Sequence, residues 1–151
     1  FTPAYVEIEA TYMVPEDSPL QSIEDVDKPG VRIAVSARAA YDLYLTRTLK
    51  HAELHRAKGL GGAVDLFVNE KLDVLAGLRP ALNEDVKRLP NMRIMDGRYT
   101  TVQQAVGTKP ENKAAIGFLR NFVAEAKQSG LVAELIERHG VQGRLLVASD
   151  D

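Results

Sequence analysis

Two arginines stand where binding of an anion is expected. Arg38 follows a short β-branched run, residues 31–35, and precedes a helix-like stretch; Arg79 follows the apolar run 72–78 in the same way. In open α/β sheets, ligands bind outside the carboxyl ends of strands, where helix N-termini offer unpaired N–H groups. Guanidinium groups at two such places predict a site for a carboxylate or a phosphate. The alternative is that both arginines are solvated at loop ends.

Other site chemistries have little support in the sequence. His51 and His55 are four residues apart, but the helix is expected to end at Lys50 and no glutamate follows His51 as in a metalloprotease helix. The glycines of residues 59–62 lack the Lys-Ser/Thr of a phosphate-binding loop and indicate a tight strand-to-helix turn. The chain has no cysteine and no nucleophile elbow. No catalytic residue, metal or cofactor is therefore predicted.

Composition places the chain among ordinary globular proteins. Its 151 residues are 45% hydrophobic and 26% charged, enough for one domain or for one domain and a fragment of another. The 19 lysines and arginines against 21 acidic residues give a net charge of −2, which argues against a nucleic-acid partner. No apolar run approaches the length of a membrane-spanning helix.

The elements that must position the arginines are predicted from hydrophobic periodicity. Strands are expected at residues 5–14, 31–35, 52–57, 72–78, 92–95 and 99–107. Helices are expected at residues 39–49, 63–71, 79–89, 111–128 and 131–139, with a single turn at 22–26, a loop at 59–62 and a frayed tail after Val141. Strands that alternate with helices indicate βαβ units. We therefore predict an α/β fold, a three-layer arrangement of a mainly parallel sheet flanked by helices.

Several segments, in order, resemble one family. The sequence is similar to the second lobe of a family 3 extracellular solute-binding protein, the periplasmic receptor of an ABC importer for amino acids and similar solutes. The resemblance spans about residues 1–140 and rests on the ordered spacing of segments rather than on one motif. Those segments are residues 1–5, 18–26, 30–35, 71–75 with Pro80, 104–109, and 118–119 to 130–131.

The resemblance implies a domain organisation. Residues 1–12 would form the first crossing strand, 13–100 lobe 2, 101–140 the return strand and helices that belong to lobe 1, and 141–151 a tail. Most of lobe 1 would lie outside the chain. The N-terminal residues 1–5 read neither as an initiator sequence nor as a signal peptide, so we expect a mature or excised piece of a longer protein.

Two departures from the family's pattern bear on the ligand. Where the family has a Gly-Thr turn for the ligand carboxylate, this chain has residues 36–40, so a guanidinium replaces a hydroxyl. Where the family has an aspartate for the ligand's ammonium, this chain has Leu78 followed by Arg79. The departures favour a more negative ligand without a free amine. The predicted ligand-binding residues are Ser36, Arg38, Ala39, Ala40, Leu78, Arg79 and Gln103.

The resemblance implies a periplasmic substrate-binding component that delivers a small anionic solute, amino-acid-like or a carboxylic acid, to an ABC permease in the membrane. One alternative is a dehydratase-like enzyme on the same fold, acting on a cyclic polycarboxylate with Glu7, Glu9 or Asp96 as general acid. Another is the ligand-sensing domain of a membrane receptor.

The last two predicted helices suggest a further partner. Without lobe 1 their apolar faces would lack a cover, and apolar patches of that size usually mark interfaces. We expect a homodimer through these helices. The side chains concerned are Ile116, Leu119, Phe122, Val123, Leu131, Leu135 and Ile136.

Overall fold

A computed structural model describes residues 1–150. Its strands are β1 (Ala4–Pro15), β2 (Arg32–Ser36), β3 (Glu53–Ala57), β4 (Val74–Leu78), β5 (Met92–Ile94), β6 (Thr100–Ala105) and β7 (Leu146–Val147). Its helices are α1 (Ala40–Thr48), α2 (Gly59–Asn69), α3 (Arg79–Val86), α4 (Lys113–Gln128) and α5 (Leu131–Arg138), with a 3₁₀ turn at Ile23–Asp25. Within the described part of the chain, no helix is long and apolar enough to cross a membrane.

The first compact unit, Glu9–Thr101, is built on strands in the order β3-β2-β4-β1-β5. β2 is parallel to β3 and β4, whereas β1 is antiparallel to β4 and β5. The predicted α/β class is confirmed, and the sheet is mixed. The parallel arrangement brings the carboxyl ends of β2, β3 and β4 to one edge, and α1, α2 and α3 each begin there.

The core of this unit lies on both faces of the sheet because successive strand residues point to opposite sides. On β2, Ile33 and Val35 pack into one fully buried cluster with Tyr41 and Leu45 of α1. Ala34 points to the other cluster. That second cluster comprises Met13, Ala34, Ala63, Phe67, Leu72, Leu75 and Leu82. A strand that is buried on both faces explains why Ile33, Ala34 and Val35 are three consecutive apolar residues.

The second compact unit combines residues 1–8 with the chain from Val102 onward. Here β7 pairs antiparallel with the start of β1, and Gly130, at φ 80°, provides the left-handed turn between α4 and α5. Of the seven apolar residues singled out above, Val123 is buried and Ile116, Leu119 and Ile136 are half-buried. The others, Phe122, Leu131 and Leu135, are exposed, as is Phe118.

Two predicted segments differ from the structure. The expected loop at residues 59–62 is the first turn of α2, which buries Ala63 and Phe67; this tertiary burial outweighs the low helix propensity of glycine. The expected frayed tail contains β7, and the backbone N–H of Ala148 donates to the carbonyl of Tyr5. This pairing partner lies far away in the sequence, so a local reading of the tail misses it.

Candidate functional site

The candidate site is the edge where the three parallel strands end. The N-cap residues of α1, α2 and α3 are Ala39, Lys58 and Leu78, and none of them provides a side-chain hydrogen bond to its helix. The first N–H groups of a helix have no partner inside the helix, and they lie at the positive end of the helix dipole. The edge therefore presents three helix starts that favour an anion.

Arg38 lies in the turn between β2 and α1. Its backbone has φ 65°, in the left-handed region that non-glycine residues rarely adopt. Its N–H donates to Oδ2 of Asp42 at 2.8 Å, which ties the turn to the helix that follows. The side chain is exposed, and among residues 1–150 its guanidinium has no hydrogen bond or ion pair. This backbone holds an unneutralised cation at the strand edge.

Asp42 stabilises the turn through both of its carboxylate oxygens. Asp42 is only 3% exposed, and its Oδ1 accepts a hydrogen bond from Nε of Arg56 on β3 at 2.9 Å. Nη2 of Arg56 donates in turn to Oγ1 of Thr46, whose hydroxyl donates to the carbonyl of Asp42. A buried carboxylate needs such compensation because removing it from water is costly. Asp42 is thus occupied on both oxygens, by the turn and by the neighbouring strand.

Three other predicted residues belong to the same turn. Ser36 ends β2 and is buried. Burial raises the pKa of Tyr41, an effect that a hydrogen bond with Ser36 opposes. Ala39 is half-buried and Ala40 is exposed, so the peptide groups here are what a solute could reach. The side chain of Ser36 is buried beside Tyr41, and its predicted contact with a solute stays a prediction.

Arg79 has a different environment. It starts α3 directly after β4, and its Nε donates to Oε2 of Glu9 on β1 at 2.6 Å. Its Nη1 and Nη2 donate to the carbonyls of Met95 and Gly97. The side chains of Arg79 and Glu9 are 22% and 29% exposed. All three guanidinium nitrogens therefore have partners within the unit, and the predicted contact of Arg79 with a solute stays a prediction.

The predicted list omits several charged residues of this region. Arg98 approaches Oε1 of Glu9 at 3.7 Å, so Glu9 lies between two guanidinium groups. Lys58, at the start of α2, is exposed. Asp42 could have been found from its spacing, since an acidic residue in the first turn of a predicted helix is typical of N-terminal stabilisation. Glu9 and Arg98 carry no comparable local signal.

The remaining predicted residues are Leu78 and Gln103. Leu78 is half-buried and packs against the core cluster that contains Tyr41. Its side chain has no polar atom with which to bind a charged group. Gln103 is exposed on β6, within the unit formed by residues 1–8 and the chain from Val102 onward.

The histidines do not form a metal site in the described residues. No group of three or more histidine, cysteine or acidic side chains there could hold a metal ion. His55 lies on β3 with its Nε2 3.5 Å from the carboxylate of Glu53, and His51 is exposed before that strand. Both positions agree with the interpretation of these residues as surface or strand-edge histidines.

No family model matches the sequence, and no curated protein matches it. Solved structures do. A putative binding component of an ABC transporter from Wolinella succinogenes, complexed with lysine, aligns with a TM-score of 0.72 at 21% identity over 91% of this chain. The chain has the fold of ABC-transporter substrate-binding proteins.

Two further structures share this binding-protein fold. The GluR0 ligand-binding core in complex with L-glutamate aligns with a TM-score of 0.72 at 20% identity. An ancestral amino-acid-binding protein, a precursor of cyclohexadienyl dehydratase, aligns with a TM-score of 0.67 at 19% identity. Each alignment covers 91% of this chain, which spans 60–62% of the length of the three solved structures. The resemblance predicted from the sequence is confirmed for the fold.

Proposed function

We propose that the chain contributes to a solute-binding protein and holds a small anionic solute, amino-acid-like or a carboxylic acid, at the edge where β2, β3 and β4 end. The observation that carries the proposal is the exposed guanidinium of Arg38, which has no partner in the described chain and lies beside helix starts without side-chain caps. A guanidinium binds a carboxylate through two parallel hydrogen bonds, and helix N–H groups can complete the site.

The charges of the edge support an anion rather than a cation. Glu9 is opposed by Arg79 and Arg98, and Asp42 is opposed by Arg56. Arg38 and Lys58 then add positive charge, and neither forms an ion pair with a carboxylate among residues 1–150. An excess of charge of one sign attracts solutes of the opposite sign and raises their rate of association.

The proposed setting is import across a membrane. Proteins with this fold include a putative binding component of an ABC transporter and the substrate-binding protein of an amino-acid ABC transporter. By analogy with them, the proposed partner is an ABC permease and the proposed location is the periplasm. Fold alone predicts function loosely, so the proposal for the solute rests on the local chemistry of Arg38.

The test is calorimetry on the full-length protein with a panel of carboxylic acids and amino acids. For the solute that binds, Arg38→Ala should weaken binding by about 1.5–3 kcal/mol, the value of a hydrogen bond to a charged group, or roughly 10- to 150-fold. Arg47→Ala, at an exposed position near the end of α1, is the matched control and should leave binding unchanged. Equal affinities for wild type and Arg38→Ala would refute the proposed role.

An enzymatic function has one supporting observation, the fold shared with an ancestral precursor of cyclohexadienyl dehydratase. Its candidate general acid is less well placed. Both oxygens of Glu9 already face guanidinium groups, those of Arg79 and Arg98. Asp96 is exposed, and Glu7 lies in the other unit. The solved structures with this fold are mostly binding proteins, and we propose binding without catalysis.

We also propose that the chain pairs with a second copy of itself through its C-terminal helices, α4 and α5. Phe118 and Phe122 on α4 are 71% and 54% exposed, and Leu131 and Leu135 on α5 are each 39% exposed. Each pair is spaced four residues apart and so lies on one face of its helix. Beside α5 lies an apolar groove of about 450 Å³ that includes Val132 and Leu135 in its lining. Such a surface is typical of an interface.

Light scattering at tens of micromolar tests the homodimer. The wild-type chain should have the mass of a dimer, and Leu135→Glu should convert it to a monomer by placing a charge in the apolar surface. Leu43→Glu is the matched control, since Leu43 is an exposed leucine on α1 outside that surface. A wild-type protein that stays monomeric at this concentration would contradict the proposal.

A further inference from the structure

We propose that the site selects carboxylic acids that carry no ammonium group on the carbon next to the bound carboxylate. The inference rests on the proposed function and specifies its solute class. It follows from what lies beside Arg38 and from the partners that the nearby carboxylates already have.

The neighbour of Arg38 along the edge is the start of α3. β2 pairs directly with β4, so the residues that follow β4 lie one strand away from the turn that follows β2. Those residues are Leu78, which is apolar, and Arg79, which is cationic. In an α-amino acid the carboxylate and the ammonium share one carbon atom. With the carboxylate on Arg38, an ammonium directed towards β4 would meet a leucine side chain and a guanidinium.

Two of the acidic side chains at this edge that could accept the ammonium are already in use. Among residues 1–150, three belong to the strand ends, first helical turns or adjoining loops of this edge: Asp42, Glu9 and Asp96. Asp42 accepts from the N–H of Arg38 and from Arg56, and its residue is buried. Glu9 faces Arg79 and Arg98. An ammonium would have to displace a guanidinium to reach either carboxylate.

Asp96 is exposed but lies too far along the edge. It follows β5, and the strand order places β4 and β1 between β5 and β2. Three strand spacings of about 4.8 Å separate the ends of β2 and β5 by roughly 14 Å. An ammonium joined to the bound carboxylate by one carbon cannot span that distance. A bound ammonium that loses hydrating water and finds no acceptor in return is unfavourable, which is the basis of the selection.

The experiment compares pairs of solutes that differ only in the α-ammonium. Calorimetry on the full-length protein uses glutarate against L-glutamate, succinate against L-aspartate, and 3-phenylpropionate against L-phenylalanine. The pair that binds should favour the deaminated acid by at least tenfold. An amino acid that binds as tightly as its deaminated partner, or more tightly, overturns this inference while leaving the proposed solute binding intact. If no member of any pair and no other carboxylate binds, the proposed function fails and the inference fails with it.

A variant tests the cause of the selection. Leu78→Asp supplies a carboxylate at the end of β4, the strand paired with the one that precedes Arg38, and should shift the ratio of affinities towards the amino acid of the pair. Leu78→Asn supplies a side chain of similar size without the charge. If the ratio of affinities within a solute pair is the same in Leu78→Asp and Leu78→Asn, the residue at position 78 is not the cause of the selection. Because Leu78 packs against the core, either variant could fail to fold, and the wild-type comparison of solute pairs then decides alone.

Discussion

The turn after β2 and the start of α3 after β4 have the same architecture but hold their arginines differently. Each arginine follows a parallel strand and lies at the beginning of a helix. Arg79 donates to Glu9 and to two backbone carbonyls, and its side chain is 22% exposed. Arg38 is anchored through its backbone N–H instead, and its guanidinium has no partner in the described chain.

The difference teaches that position in the fold does not decide the role of a charged residue; its partners do. A guanidinium with a carboxylate and two carbonyls contributes to stability, since removing it leaves acceptors unpaired. A guanidinium without partners contributes little to stability and is available to a solute. We therefore expect substitutions at Arg79 to affect unfolding most and substitutions at Arg38 to affect binding most.

The largest expected effect on stability is at Arg79. Arg79→Ala should lower the free energy of unfolding by about 2–3 kcal/mol, in the upper part of the range for a hydrogen bond to a charged group and below the cost of breaking a fully buried ion pair. Urea denaturation measures it. In a double-mutant cycle with Glu9→Gln, the two losses should be non-additive by at least about 1 kcal/mol. A loss no larger than that of the exposed control Arg47→Ala, about 0.5 kcal/mol or less, would remove the contrast between the two regions.

A smaller effect is expected at Asp42. Asp42→Asn keeps the shape of the side chain, but its amide nitrogen cannot accept, so Arg38 or Arg56 loses an acceptor. The free energy of unfolding should fall by about 1.5–2 kcal/mol. The affinity for the anionic solute should fall as well, because the turn that carries Arg38 loses its support.

The matched control for Asp42 is Asp65→Asn, at an exposed carboxylate on α2, which should change neither stability nor affinity. Adding Arg38→Gly to Asp42→Asn should restore part of the stability, since glycine adopts a left-handed backbone without help, but no affinity. Full affinity in Asp42→Asn would show that the support from Asp42 has no part in binding.

The smallest effect distinguishes the backbone of Arg38 from its side chain. At φ 65° a residue with a Cβ is strained, so Arg38→Gly should be more stable than Arg38→Ala by about 1 kcal/mol. Two residues later, at the start of α1, the order should be reversed, and Ala40→Gly should lower stability. Both variants at position 38 should lose the same affinity. If Arg38→Ala is the more stable of the two, the left-handed turn is wrong.

Most of the elements around the site could be predicted from the sequence. The run 31–35 corresponds to β2, 72–78 contains β4, and both helix starts fall within a residue of their predicted positions. Each of these segments is a largely apolar run followed by a helix start, and α3 has Pro80 in its first turn. Residues 59–62 and the tail lacked such signals. The helical structure of residues 59–62 depends on the burial of α2 through Ala63 and Phe67, and the strand in the tail depends on pairing with β1.

The sequence by itself determined the α/β class and the placement of Arg38 and Arg79 at strand ends, because hydrophobic periodicity and turn residues are local properties. Only the tertiary structure decided which arginine has partners. Glu9 is 70 residues from Arg79 in the sequence, and it reaches Arg79 only because β1 pairs with β4. Arg56 likewise reaches Asp42 because β3 pairs with β2. Charge neutralisation depends on distances across the sheet, and a sequence read along one dimension does not contain them.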